Sequence, residues 1–203
     1  MNLRWLPAIA TLVLATPTAQ AVLIVNTGVD NSGTDNVIFN ACSAPVGGPA
    51  LTVTGCLNAD HTRVVSFTAE ENVTASGGQA RVDATDTTGF SQLSISASAS
   101  AFNKLVLNID SRLNGTVTFT DGVMTSNPFP LDQNGQNFFT ITGGPFNFIQ
   151  FTTAVGGTVT DLVVDAEQFR IGLAAAVTIP EPGALLLLGL GFVVLGATRL
   201  RLR

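Results

Sequence analysis

The stretch QLSISASAS, Gln92 to Ser100, alternates apolar and polar side chains without a break. On an extended chain successive side chains point to opposite faces, so Leu93, Ile95, Ala97 and Ala99 share one face and the serines the other. That is a half-buried β-strand. The same period recurs along the chain. KLVLNID (104–110) aligns Leu105, Leu107 and Ile109, GTVTFTDG (115–122) aligns Val117 and Phe119, and RVVSFTA (63–69) aligns Val65 and Phe67. No segment between Val22 and Thr178 has a convincing 3.6-residue apolar period.

Turn signals punctuate these runs at Gly77-Gly78, Asn114-Gly115, Asp121-Gly122, Asn134-Gly135, Gly143-Gly144 and Gly156-Gly157. They predict strands over 23–26, 36–41, 50–54, 63–69, 79–84, 90–99, 102–110, 115–121, 137–142, 146–153 and 160–172. Many short strands with glycine-rich turns predict an all-β domain, an antiparallel β-sandwich of jelly-roll type. In the last strand Leu162 and Val164 keep one phase and Phe169 and Ile171 the other. A bulge or change of sheet near Asp165 to Gln168 reconciles them. The stretch NGQNFFTITGGPFNFIQF (134–151) resembles the closing hairpin of lectin-like jelly rolls.

The two ends read differently. Residues 1–21 carry one charge, Arg4, ahead of an apolar run from Trp5, and end in Ala19-Gln20-Ala21. Small residues at Ala19 and Ala21 fit signal peptidase, so the segment reads as a secretory signal peptide. At the other end, residues 183–198 are uncharged and leucine- and glycine-rich, near the lower length for a spanning helix. Arg199, Arg201 and Arg203 supply a basic cytoplasmic flank. Before the helix stands Pro180-Glu181-Pro182, held extended by the two prolines.

Residues 179–203, with this Pro-Glu-Pro step, helix and arginine tail in order, resemble the PEP-CTERM sorting domain of Gram-negative bacteria. Ile179 stands where that family usually has Val. The resemblance implies recognition of the Pro-Glu-Pro step by a membrane-embedded exosortase. It also implies transient membrane anchoring through the helix, then processing to the cell surface or matrix.

Residues 22–178 are then one exported domain, long enough to bury about 70% of its unfolded surface. That region holds five basic and thirteen acidic side chains, a formal charge of −8. Phosphate recognition needs clustered Lys and Arg, so nucleic acid and anionic lipid are poor partners, whereas divalent cations and cationic polymers are compatible. Cys42 and Cys56 bracket a Pro/Gly-rich loop in an oxidising compartment, which predicts a structural disulfide.

Chemistry is sparse. His61, beside Asp60, is the single histidine, and no GxSxG, HExxH or Walker pattern occurs. The carboxylate pairs Glu70-Glu71 and Asp165 with Glu167 are of a kind a glycosidase uses, yet solvated strand-edge residues account for them. The expectation is no enzyme. The mature region has no Trp and no Tyr for stacking on sugars, and most of its twelve Phe follow the core phase. VDNSGTDN (29–36) gathers oxygen ligands, with Asp30 and Asp35 as calcium candidates, but Asp35 stands where an EF-hand needs Gly. No cofactor is otherwise expected. The reading is an exported structural or adhesive protein of the cell surface or exopolysaccharide-rich matrix, as in a biofilm. The alternative is a lectin-like glycan-binding module, calcium-dependent or not.

Overall fold

The computed structural model describes residues 22–175, apart from 44, 78, 99, 100 and 134. Thirteen strands follow one another: β1 (Ile24–Thr27), β2 (Asp35–Ile38), β3 (Ala50–Leu57), β4 (Val64–Ser76), β5 (Arg81–Ala84), β6 (Gln92–Ala97) and β7 (Phe102–Ser111). After these come β8 (Gly115–Thr120), β9 (Phe129–Leu131), β10 (Asn137–Phe146), β11 (Phe148–Val155), β12 (Thr158–Val159) and β13 (Val163–Leu173). No helix is present among the described residues. The eleven segments that alternation marks out all become strand, with shifted ends. The short β9 and β12 carry too few residues to show a period.

The all-β antiparallel expectation holds, but its closure is not that of a jelly-roll sandwich with two separate sheets. The strands run β1-β10-β7-β13-β2-β3-β4-β6-β11-β8-β9 in one hydrogen-bonded path. β5 pairs with both β4 and β13, closing β13-β2-β3-β4-β5 into a small five-strand barrel with the other strands packed outside it. Closure needs long strands that bend. β4 shifts register opposite β3 between Ala50 and Thr52, and β13 shifts three times against β7. Each extra residue raises local twist, which lets one strand serve two neighbours.

The shifts in β13 fall between Val163 and Asp165, between Glu167 and Arg170, and between Gly172 and Leu173. Gln168 lies inside the second, at φ 57°, the one non-glycine residue with positive φ among those described. The bulge expected near 165–168 is therefore present. It changes the phase as proposed, with one correction: Val164 is exposed, and Leu162, Val163 and Ala166 point into the core.

Two further expectations fail at one place. Gly143-Gly144 is not a turn but an irregularity inside β10, where pairing with β7 slips between Thr142 and Phe146. A Cβ on Gly143 would lie 1.5 Å from the Val22 carbonyl oxygen, and one on Gly144 2.7 Å from that of Phe102. Glycine is required there because neighbouring backbones approach closely. Nor do β10 and β11 form the lectin-like closing hairpin. β10 pairs with β1 and β7, and β11 with β6, β8 and β12.

The core is phenylalanine. Phe67 of β4 meets Phe169 of β13 at 4.6 Å between ring centroids, and Phe119 of β8 meets Phe139 of β10 at 5.1 Å. These contacts join the two halves of the path face to face. Leu93, Ile95, Leu105, Leu107, Ile109, Val117 and Val65 are all fully buried, as their alternation requires. Cys42 and Cys56 form the expected disulfide, their Cα atoms 5.5 Å apart, tying the β2–β3 loop to β3.

Candidate functional site

The sites expected from sequence scatter. His61 sits exposed in the β3–β4 turn, and its carbonyl oxygen accepts from the Ser43 hydroxyl at 3.3 Å. Asp30 accepts from the Lys104 ammonium at 2.5 Å and from the Ser32 hydroxyl at 2.6 Å. Those donors hold its carboxyl far below the usual carboxylate range. Asp35 accepts instead from the Ala59 amide at 2.7 Å. The two calcium candidates are thus engaged separately. Among the described residues no group of three or more His, Cys, Asp or Glu is arranged to hold a metal.

Glu70 and Glu71 lie at the bulge of β4 and serve different ends. Glu70 caps the start of β6, accepting from the Ser91 amide, the Ser91 hydroxyl at 2.6 Å and the Gln92 amide. Glu71 is half-buried and bonds to none of these groups. Desolvation, then the charges of Asp86, Glu70 and Asp161, push its carboxyl up from the ordinary value.

Asp165 and Glu167 are the pair that strand pairing brings into company. They are two residues apart on β13 and point to the outer side, away from the core residue Ala166. Asp165 stands opposite Asp83 on β5 and Asp110 on β7, while Glu167 stands opposite Arg81 and Asn108. Three aspartates in a row across three strands is an unfavourable arrangement, since directly opposed like charges repel. Arg81 offsets part of it, reaching Asp83 at 2.6 Å and Asp165 at 3.0 Å.

Asp165 is only 4% exposed. Burial, partly countered by Arg81 and reinforced by Asp110, Glu167 and Asp83, pushes its carboxyl from 3.8 up to about 6. Asp165, Arg81, Asp110 and Glu167 line an open pocket of about 350 Å³, together with Gly135 and Gln136 of the β9–β10 loop. Asn108 lines the same pocket and is 3% exposed. Its amide nitrogen donates to Glu167 at 3.3 Å, and its side-chain oxygen, also buried, has no hydrogen-bond partner among the described residues.

Along the same outer face lies a second, narrower depression of about 100 Å³, lined by Asn31, Gln79, Val106, Phe138, Gln168 and Arg170 among others. Gln168 links the two, donating to Glu167 at 3.3 Å. The two depressions share no lining residue. Sequence reasoning singled out Asp165 and Glu167 but missed Arg81, Asn108 and Asp110. The available signal was the polar phase of β7, Lys104, Asn108 and Asp110, opposite its leucines.

The Pro180, Glu181, Pro182 step, the helix over 183–198, Arg199, Arg201 and Arg203, and the N-terminal segment with Ala19 and Ala21 lie outside the described residues. No curated protein and no solved structure matches this chain. A family model does match its C-terminal end, over residues 178–202. The chain carries a PEP-CTERM protein-sorting motif, which implies an exported, cell-surface protein processed by an exosortase.

Proposed function

We propose that residues 22–178 form a structural or adhesive module of the cell surface or extracellular matrix, acting without catalytic turnover. The observation that carries this reading is the sorting motif at 178–202, which follows an all-β domain. Outward rungs such as Thr68, Ser94, Gln150 and Thr120 give a polar face suited to a hydrated matrix. Loss of the chain should reduce cell adhesion or matrix cohesion, measured by a retention assay. Pro180→Ala with Pro182→Ala should leave the protein in the membrane fraction, with Arg203 still attached by mass spectrometry. Unchanged adhesion, together with a polysaccharide-cleaving activity abolished by Asp165→Asn, would overturn the reading.

Glycan binding is the second reading, favoured by the amide side chains Asn31, Asn36, Gln79 and Gln168 that line the narrower depression. It does not draw on an exposed aromatic platform. Nine of the twelve Phe in the domain are buried, and Phe129, Phe138 and Phe148 are partly covered. Phe138 alone of these lines the narrower depression.

A further inference from the structure

We infer that the narrower depression beside the β13 bulge binds a carboxylate-bearing sugar unit, a uronate, with Arg170 and Asn36 holding the acid group. The inference rests on the glycan-binding reading and deepens it by naming the class of sugar.

One corner of this site presents donors only. Arg170 stands between Asn36 on β2 and Val106 on β7. Its Nε–H donates to the Thr34 hydroxyl at 3.0 Å, Nη1 to the Asn36 side-chain oxygen, and Nη2 to the Thr34 carbonyl at 3.5 Å. A guanidinium has five N–H groups, so one on each terminal nitrogen is left over. Because the Asn36 oxygen is turned to Arg170, its amide nitrogen is a further donor, unused among the described residues. No described carboxylate forms an ion pair with Arg170, and none lines the depression. The wider pocket is acidic, like the domain as a whole. This one carries a single cation and no acid.

The rest of the lining suits a sugar ring. Asn31 and Gln79 are exposed, and their side-chain amides, unbonded among the described residues, offer donors and acceptors to hydroxyls. Half-buried Phe138, with Val106 below it, gives an apolar wall for the C–H edge of the ring. Gln168 holds φ 57° in the bulge, a strain that glycine would avoid. Its backbone N–H donates to the Ala80 carbonyl at 3.0 Å, which sets it beside Gln79. The β1–β2 loop that carries Asn31 is pinned to β7 and β10 through Asp30. The Asp30 carboxylate accepts from Lys104 at 2.5 Å, and its backbone amide donates to the Thr140 hydroxyl at 3.0 Å. The walls are thus held in place without a ligand. A space of about 100 Å³ equals the volume of about three waters. It takes a carboxylate and one edge of a ring. A planar carboxylate matches the guanidinium fork, whereas a neutral sugar leaves that charge without a partner.

The test is calorimetric titration of the full chain in non-ionic detergent at pH 7. Salt at about 0.15 M screens the domain's long-range repulsion of a polyanion beyond about 8 Å. The probes are a galacturonate hexamer, its methyl ester, a glucose hexamer and sodium acetate. The galacturonate hexamer should bind, and each of the other three at least about tenfold more weakly. Arg170→Gln should weaken hexamer binding by roughly tenfold. Because it also removes the bonds to Thr34 and Asn36, two gentler variants accompany it, Gln168→Gly and the pair Asn31→Ala with Gln79→Ala. Melting curves should show both folded, and each should bind roughly threefold more weakly. Equal binding of the ester or the glucose hexamer would overturn the inference and leave glycan binding standing. Binding of no hexamer would overturn both. Acetate binding as tightly as the galacturonate hexamer, or indifference of binding to all three variants, would also overturn the inference.

Discussion

The two outward faces of this sheet follow the same alternation and end in different chemistry. Across β4, β6, β11 and β8 the outward rungs are Thr68, Ser94, Gln150 and Thr120, and next to them Gln92, Thr152 and Thr118. These are neutral, mostly half-buried side chains, a common way to finish a half-buried sheet, and the one carboxylate beside them, Glu70, is engaged by the Ser91 and Gln92 amides. Across β5, β13 and β7 the outward rungs are Asp83, Asp165, Asp110 and Arg81, Glu167, Asn108. Here carboxylates oppose one another and an amide oxygen is buried without a donor. Directly opposed like charges cost stability, so the two faces contribute differently to holding the fold.

The interior gives the largest effect against which either face is judged. Phe67 is fully buried and touches the rings of Phe39 and Phe169, at 5.6 and 4.6 Å between centroids. Phe67→Ala should lower the unfolding free energy by about 3–5 kcal/mol, measured by urea titration. A loss below 1 kcal/mol would mean that the barrel does not depend on the contact between β4 and β13.

Next in size is the disulfide. Cys42 and Cys56 are 14 residues apart, and closing such a loop in the unfolded chain contributes about 3 kcal/mol. Replacing both with serine should cost about that much by chemical denaturation. A loss below about 1 kcal/mol would mean that the link constrains the unfolded chain little.

Much of the fold is legible in the sequence because alternation is local. Leu93 and Ile95 declare their strand within a few residues, and the phase change at Asp165–Gln168 is visible as a conflict between Leu162 and Phe169. Closure is not local. That β5 pairs with both β4 and β13 depends on bends that no window of residues reveals. Gly143-Gly144 looks like a turn because the same residue serves both tight turns and close backbone approach. The pocket was half legible for the same reason. Asp165 and Glu167 are neighbours in sequence, whereas Asp110 and Arg81 reach them only through pairing.

The most direct test of the contrast between the two faces is the pH dependence of unfolding for Asp165→Asn, with Ser94→Ala as the neutral-face control. Below about pH 4 Asp165 is protonated in both folded and unfolded chains, so its charge costs nothing. As pH rises through about 6 the unfolded chain has already ionised while the folded one resists, and the stability present at low pH is lost. Arg81 and Asp83 on β5, Asp110 on β7 and Glu167 on β13 all face the group. Asp165→Asn should therefore stabilise the protein by on the order of 1–3 kcal/mol at pH 8 and make little difference near pH 4. Ser94→Ala should stay within about 0.5 kcal/mol at both. If Asp165→Asn instead destabilises the protein at pH 8, the carboxylate row is part of what holds the barrel, and the contrast between a neutral face and one that costs stability fails.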